Sequence, residues 1–306
     1  MMKIKPIKIL LVICIATLIS VLAIIPLNKK YQAASWMKNV NDNTAISSLS
    51  IPGTHDSGAT HSIFDVAGKC QDISIVSQLN IGVRFLDLRL QLYKNELKIV
   101  HSFVDQALTF ESVLTDITSF IISHPTEFLI ISIKEEASSN SSTISFDEKL
   151  KENLLKHSSI TFDALPKTLG EARGKIYILN RFSNEKIGIP AYSGWLDSTT
   201  FQIDNLYIQD NYCISSLEVK QRDIMDTLNY AKSQDNIVLN YTSCYLDSGF
   251  PPLYAGTAAK GINPWLLETI QNNKENIGIV IVDFVTEELA KAIYMRNIIW
   301  KNYLTF

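Results

Sequence analysis

Ser50-Ile51-Pro52-Gly53-Thr54-His55-Asp56-Ser57-Gly58 sets a His-Asp pair on a glycine turn that follows a short apolar run. Turns at strand ends carry side chains to the mouth of a rigid scaffold, where chemistry is done. A second histidine closes Lys98-Ile99-Val100-His101, and between the two lies Val83-Arg84-Phe85-Leu86-Asp87-Leu88-Arg89. Alternate residues of a strand share a face, so Phe85, Asp87 and Arg89 point the same way. Two imidazoles, the carboxylates of Asp56 and Asp87 and one guanidinium suit general acid–base work on an anionic group.

The elements that must hold these groups read as an alternation of short apolar runs and longer amphipathic segments. Strands are expected over 47–52, 83–90, 97–101, 128–134, 175–181, 206–210, 237–241 and 277–283. Helices are expected over 109–123, 146–157, 216–233 and 264–272. This pattern predicts the α/β class and a (β/α)8 TIM-like barrel. It is irregular near His101, which follows Arg89 too closely for a helix and implies a hairpin-like or irregular connection. Most of the strands end in a polar residue: His55, Asp87 with Arg89, His101, Lys134, Arg181, Asp210 and Asp283. A charged strand end taken singly marks an exit into solvent. The repetition points instead to a site at the carboxyl ends of the barrel strands.

The 306 residues, 46% hydrophobic, are ample for one large core. A net charge of −3 argues against a nucleic-acid partner. Lys3, Lys5 and Lys8 precede an uncharged run from Ile9 to Leu27, the order of a secretory signal or an N-terminal membrane anchor. The expected division is therefore residues 1–35 as leader and 36–306 as the barrel. The expected location is exported, either released or anchored on the outer face of the cytoplasmic membrane. Of the cysteines, Cys14 lies in the leader. Cys70, Cys213 and Cys244 are widely spaced without a CxxC pattern, which fits neither a disulfide scaffold nor a zinc site. One bridge is open to them; buried free thiols are the favoured reading.

SIPGTHDSG, RFLDLR, the following His, FLIISIKEE, ILNRFS, IQDNY and IVIVDF occur in this order. Over about residues 45 to 290 the set resembles the bacterial phosphatidylinositol-specific phospholipases C. The resemblance implies attack of the inositol 2-hydroxyl on phosphorus. Diacylglycerol leaves and inositol 1,2-cyclic phosphate forms, with no cofactor. By motif, His55 would be the general base, held by Asp283. His101 would be the general acid, assisted by Asp56. Arg89 would bind a non-bridging phosphate oxygen, with Asp87 orienting the cluster. Lys134, Arg181 and Asp210 would hold inositol hydroxyls, with the Tyr212 ring against the sugar face.

Acid–base logic agrees, since cleavage needs a base and an acid on opposite sides of phosphorus and His can serve as either. Related eukaryotic phospholipases place Ca²⁺ beside the phosphate. Here Arg89 and Lys134 would repel a cation that needs six to eight oxygen ligands, so the guanidinium is expected to replace the metal. The implied partner is phosphatidylinositol at a membrane surface, with glycosyl-phosphatidylinositol anchors as a further candidate, and the implied state is monomeric. The chain departs from the family at Ser102, where glycine is common, and in a short segment after the first motif, 59–73. Ile63, Phe64, Val66 and the loop 250–254 are candidates for membrane docking, against ordinary packing. Two rival readings are a metal-dependent glycerophosphodiester phosphodiesterase and a non-catalytic inositol-lipid binding module.

Overall fold

The structure, a computed structural model, describes residues 32–61, 68–102, 104–183, 187–232, 235–246, 254–271 and 275–299. The leader through residue 31, the docking candidates Ile63, Phe64 and Val66, and residues 250–253 of the other loop lie outside them. No helix among the described residues is long and apolar enough to cross a membrane.

The strands are β1 (Ile51–Thr54), β2 (Phe85–Tyr93), β3 (Glu96–His101), β4 (Val104–Thr109), β5 (Leu129–Asn140), β6 (Ile160–Thr161) and β7 (Ile176–Asn180). They continue with β8 (Ile189–Pro190), β9 (Thr200–Ile203), β10 (Leu206–Gln209), β11 (Cys213–Ile214), β12 (Ile237–Tyr241), β13 (Tyr245–Leu246) and β14 (Ile279–Val282). The main sheet runs β6-β7-β5-β2-β1-β14-β12-β10-β9. Its neighbours pair in parallel except β9, which is antiparallel to β10. The helices are α1 (Ile75–Asn80), α2 (Phe110–Ser123), α3 (Phe146–Leu154), α4 (Leu169–Ala172), α5 (Leu217–Ala231), α6 (Ala255–Gln271), α7 (Glu287–Tyr294) and α8 (Arg296–Ile299).

Parallel strands covered on both faces are apolar throughout: β7, β12 and β14 are buried at every residue. The helices start where their caps stand. Thr109 and Ser216 accept the first free N–H groups of α2 and α5, and Ser145 with Glu148 closes a capping box on α3. The outer face of the sheet, with Leu86, Leu88, Leu90, Ile131, Ile133, Val280 and Val282, packs with α2, α3 and α7 into one apolar cluster.

This is the expected α/β TIM-like barrel, with two differences. The expected strand at 97–101 does not join the parallel ring. It is β3, the antiparallel hairpin partner of β2, so His101 reaches the site from a hairpin, as the short spacing implied. The barrel is also open: among the described residues no pairing joins β7 to β10. The short strands β6, β8 and β9 occupy the two margins instead, and side chains bridge the seam.

Candidate active site

Register explains how distant residues meet. Gly53 on β1 is level with Phe85 on β2 and with Ile281 on β14. A Cβ at Gly53 would sit 3.0 Å from both Phe85 and Ile281, so a larger residue would have to push these neighbours aside. Two residues further up the inner face come Asp87 and Ser132, paired across β2 and β5, and then Arg89 paired with Lys134. Inner residues one step beyond the strand ends complete the top layer: His55 after β1, Asp283 after β14, Arg181 after β7 and Asp210 after β10. This is the carboxyl-end placement on which the sequence reading rested.

The layer opens into a cavity of about 770 Å³ lined by His55, Arg89, His101, Lys134, Arg181, Asp210, Tyr212 and Asp283 among others. That size suits a small polar headgroup.

His55 Nδ1 donates to Asp283 Oδ1 at 2.8 Å, and Arg89 Nη2 donates to His55 Nε2 at 2.7 Å. The arginine therefore selects the neutral ring with its proton on Nδ1 and its lone pair on Nε2. Burial works against the imidazolium, yet the Asp283 carboxylate outweighs it and raises the His55 pKa above its ordinary 6.5. A base poised in this way can take a hydroxyl proton near neutrality.

His101 Nδ1 lies 2.5 Å from Asp56 Oδ2, which leaves Nε2 as the nitrogen free to act. Asp56 is fully buried and has φ +41°, a left-handed conformation that non-glycine residues adopt at a cost. Its N–H reaches Asp87 Oδ2 at 3.4 Å, and Ser57 N donates to the Asp87 carbonyl at 2.7 Å. Ser102, where the family favours glycine, has φ +53°, the region glycine occupies most readily.

Asp87 is the electrostatic floor of the site. It accepts from Arg89 Nε at 3.3 Å, Arg181 Nη1 at 3.3 Å and Ser132 Oγ at 3.1 Å. Burial alone would raise its pKa, but the two guanidiniums overcome this and hold it well below the carboxylate range. Arg181 lies over Trp195, with Cζ 3.6 Å from the ring centroid, and its Nη2 is 3.9 Å from Asp210 Oδ2. Trp195 Nε1 donates to Asp210 Oδ2 at 3.0 Å. These contacts bridge the open seam of the barrel.

Tyr212 lines the cavity with its hydroxyl bonded to Asp197 and its ring tilted against Tyr245, 5.8 Å between centroids. The ring that lies against Arg181 is that of Trp195. All ten residues marked in the sequence thus line this cavity or bond directly to groups that do. Lys134 differs from expectation in one respect. Its ammonium is bound at 2.7 Å by Glu136 Oε2, while Glu136 Oε1 holds Arg89 Nη1 at 3.2 Å.

Glu136 and Trp195 went unmarked in the sequence. Glu136 belongs to the quoted FLIISIKEE run, two residues past Lys134 on the same strand, so alternation along β5 would have found it. Trp195 carried no periodic signal. Two buried glutamines were missed as well. Gln71 Nε2 donates to the carbonyls of His55 and Val282, both at 2.9 Å, pinning the first loop to the last strand. Gln78 bonds Thr54 Oγ1 at 2.8 Å and the Ser57 carbonyl at 2.9 Å.

The family model described as "Phosphatidylinositol-specific phospholipase C, X domain" matches residues 46–182. The chain is 30% identical over 277 residues to a 1-phosphatidylinositol phosphodiesterase of Staphylococcus aureus (strain Newman), covering 82% of this chain and 88% of that protein. It is 28% identical over 286 residues to the protein of the same name from Listeria monocytogenes, covering 89% and 87%. A solved double mutant of the S. aureus phosphatidylinositol-specific phospholipase C superposes with a TM-score of 0.77 at 26% identity, covering 85% of this chain and 97% of that one. The L. monocytogenes enzyme gives 0.71 at 25% identity, covering 87% and 98%.

Proposed function

The chain belongs to the phosphatidylinositol-specific phospholipase C family, and from that premise we propose that it cleaves phosphatidylinositol into diacylglycerol and inositol 1,2-cyclic phosphate without a metal ion. The observation that carries this is the pair of His–carboxylate couples flanking one guanidinium. Arg89 Nη2 meets His55 Nε2 at 2.7 Å, and Arg89 Nε lies 3.7 Å from the Asp56 oxygen that holds His101.

In the proposed reaction the substrate phosphate draws Arg89 from His55, freeing the Nε2 lone pair. That nitrogen takes the proton of the inositol 2-hydroxyl as its oxygen attacks phosphorus, and Asp283 stabilises the imidazolium that forms. His101 Nε2 delivers a proton to the departing glycerol oxygen, so charge builds on neither oxygen. Arg89 binds the non-bridging oxygens through its fork of donors. Asp87 fixes Arg89 and Arg181 in place. Lys134, Arg181 and Asp210 receive the inositol hydroxyls, and Tyr212 borders the ring.

Metal independence is supported by what surrounds Arg89: Asp56, Asp87 and Glu136 all direct oxygens at it. The guanidinium stands where a hard cation would need those oxygens as ligands. The leader pattern supports export, residues 1–35 serving as signal or anchor and 36–306 as the catalytic barrel. The protein would then act as a monomer on membrane phosphatidylinositol, with glycosyl-phosphatidylinositol anchors as a second substrate.

Turnover of phosphatidylinositol, its 4,5-bisphosphate and phosphatidylcholine by one preparation tests the reading. Phosphatidylcholine has no 2-hydroxyl nucleophile and should not react; comparable rates on it would overturn the mechanism. The bisphosphate should be poor, because the Asp210 carboxylate would face its added charge.

A further inference from the structure

The thiol of Cys70 lies between the two histidine couples and has no part in the reaction just proposed. Its Sγ is 3.6 Å from His101 Nδ1. One ligand atom each from Asp56, Cys70 and His101 lies within 4.8 Å of the others. Tetrahedral zinc, with bonds of about 2.3 Å to sulfur and about 2.0 Å to nitrogen, sets those two ligands about 3.5 Å apart. The S···N separation already has that value. Asp56 Oδ2 is the oxygen already beside His101 Nδ1, and Oδ1 is buried without a hydrogen-bond partner, so no bond at Oδ1 opposes turning the carboxylate toward the ion. We propose that Cys70, His101 Nδ1 and Asp56 form a zinc site whose occupancy shuts the enzyme off.

The proton balance is simple. Zn²⁺ displaces the thiol proton of Cys70 and the Nδ1 proton of His101 to solvent, leaving that ring neutral with its remaining proton on Nε2. The Asp56–His101 hydrogen bond opens from 2.5 Å to about 3.4 Å, the N···O edge of a zinc tetrahedron. Water takes the fourth position. Thiolate and carboxylate cancel the charge of the ion, so the complex is neutral beside Arg89. A hard cation would leave the thiol protonated and carry a net positive charge next to the guanidinium, and its preference is for oxygen ligands. His55, Cys70 and Asp283 form a second such cluster, but both ring nitrogens of His55 are taken, by Asp283 and Arg89. Cys70 is fully buried, and burial pushes its thiol pKa up. This disfavours alkylation and oxidation, which need the thiolate to form unaided, whereas Zn²⁺ displaces the proton as it binds.

Binding stands on this geometry alone; inhibition rests on the roles proposed above for His101 and Asp56. Zinc sulfate should inhibit phosphatidylinositol cleavage by the wild-type protein, reversibly on addition of chelator, whereas Ca²⁺ and Mg²⁺ should not. Cys70→Ser should weaken inhibition by about 100-fold or more, since outer-shell losses alone cost roughly 10–100-fold in metal affinity. Cys213→Ser and Cys244→Ser should keep the wild-type response. Co²⁺ should give the wild-type protein a near-ultraviolet thiolate charge-transfer band that Cys70→Ser lacks, a readout that needs no lipase activity. Equal zinc inhibition of wild type and Cys70→Ser, or a band that survives the substitution, would overturn the site. A cobalt band without zinc inhibition would overturn the shut-off. Should Cys70→Ser not fold, Cys70→Ala is judged by the same criteria.

Discussion

Asp283→Asn removes one charge from a buried pair and leaves the shape unchanged. Asp283 is 2% exposed, and its Oδ1 holds His55 Nδ1 at 2.8 Å. The magnitude follows from what is lost. A hydrogen bond to a charged group contributes about 1.5–3 kcal/mol, which in a transition state carrying an imidazolium is about a 10- to 150-fold drop in kcat/KM. The corresponding change in serine proteases costs about 10⁴-fold because the histidine settles in the wrong tautomer. Here Arg89 donates to Nε2 from the other side. In the complex the inositol 2-hydroxyl takes the place of Arg89 as donor to Nε2, so the lone pair stays there, the asparagine oxygen can still accept from Nδ1, and the smaller figure applies. The pH dependence has a definite sign. Asp283 is the largest influence raising the His55 pKa, while burial and Arg89 both lower it. Without Asp283 the base deprotonates more readily, and the acidic limb of the kcat/KM profile moves to lower pH. The assay is phosphatidylinositol cleavage from pH 4 to 9 on mixed micelles, with circular dichroism confirming the fold. A limb that stays in place or moves up, or a loss under about 3-fold, would refute the pairing of Asp283 with a catalytic His55.

Two further substitutions separate the proposed roles. His55→Ala and His101→Ala should each reduce lipid cleavage by roughly 10²–10⁴-fold. On an inositol phosphate ester with a nitrophenol leaving group, which needs no protonation, only His101→Ala should recover; equal losses on both substrates would remove the acid assignment. Trp195→Ala should raise KM more than it lowers kcat, because it frees Arg181 to leave the seam without touching the His couples. A kcat effect with KM unchanged would contradict a binding role for that stack.

The placement of the candidate site was legible because it sits where strand ends must bring it. His55 and Asp283 are 228 residues apart in sequence, yet both follow short apolar runs, and the barrel closes the distance. The hairpin to His101 was legible from chain length alone. Side chains that act across the fold were not. Trp195 follows a short helical turn with no amphipathic repeat, and its partners, Arg181, Asp210 and Tyr241, belong to other strands. The open seam was hidden for the same reason, since β6, β8 and β9 are too short to show a period of two. Cys70 illustrates the limit of spacing arguments. Its distance from other cysteines gave no zinc pattern, whereas its neighbours in space are two histidines and two carboxylates. Gln71 and Gln78 read as ordinary polar residues; only burial shows that they hold the loop after β1.

The most direct test of the account is phosphorus NMR of the reaction on phosphatidylinositol in excess EDTA. The account predicts undiminished cleavage, with the inositol 1,2-cyclic phosphate resonance appearing first and any inositol 1-phosphate only later. Inositol 1-phosphate formed from the outset with no cyclic precursor would contradict attack by the 2-hydroxyl. Activity abolished by EDTA and restored by Ca²⁺ would contradict the assignment of phosphate charge stabilisation to Arg89.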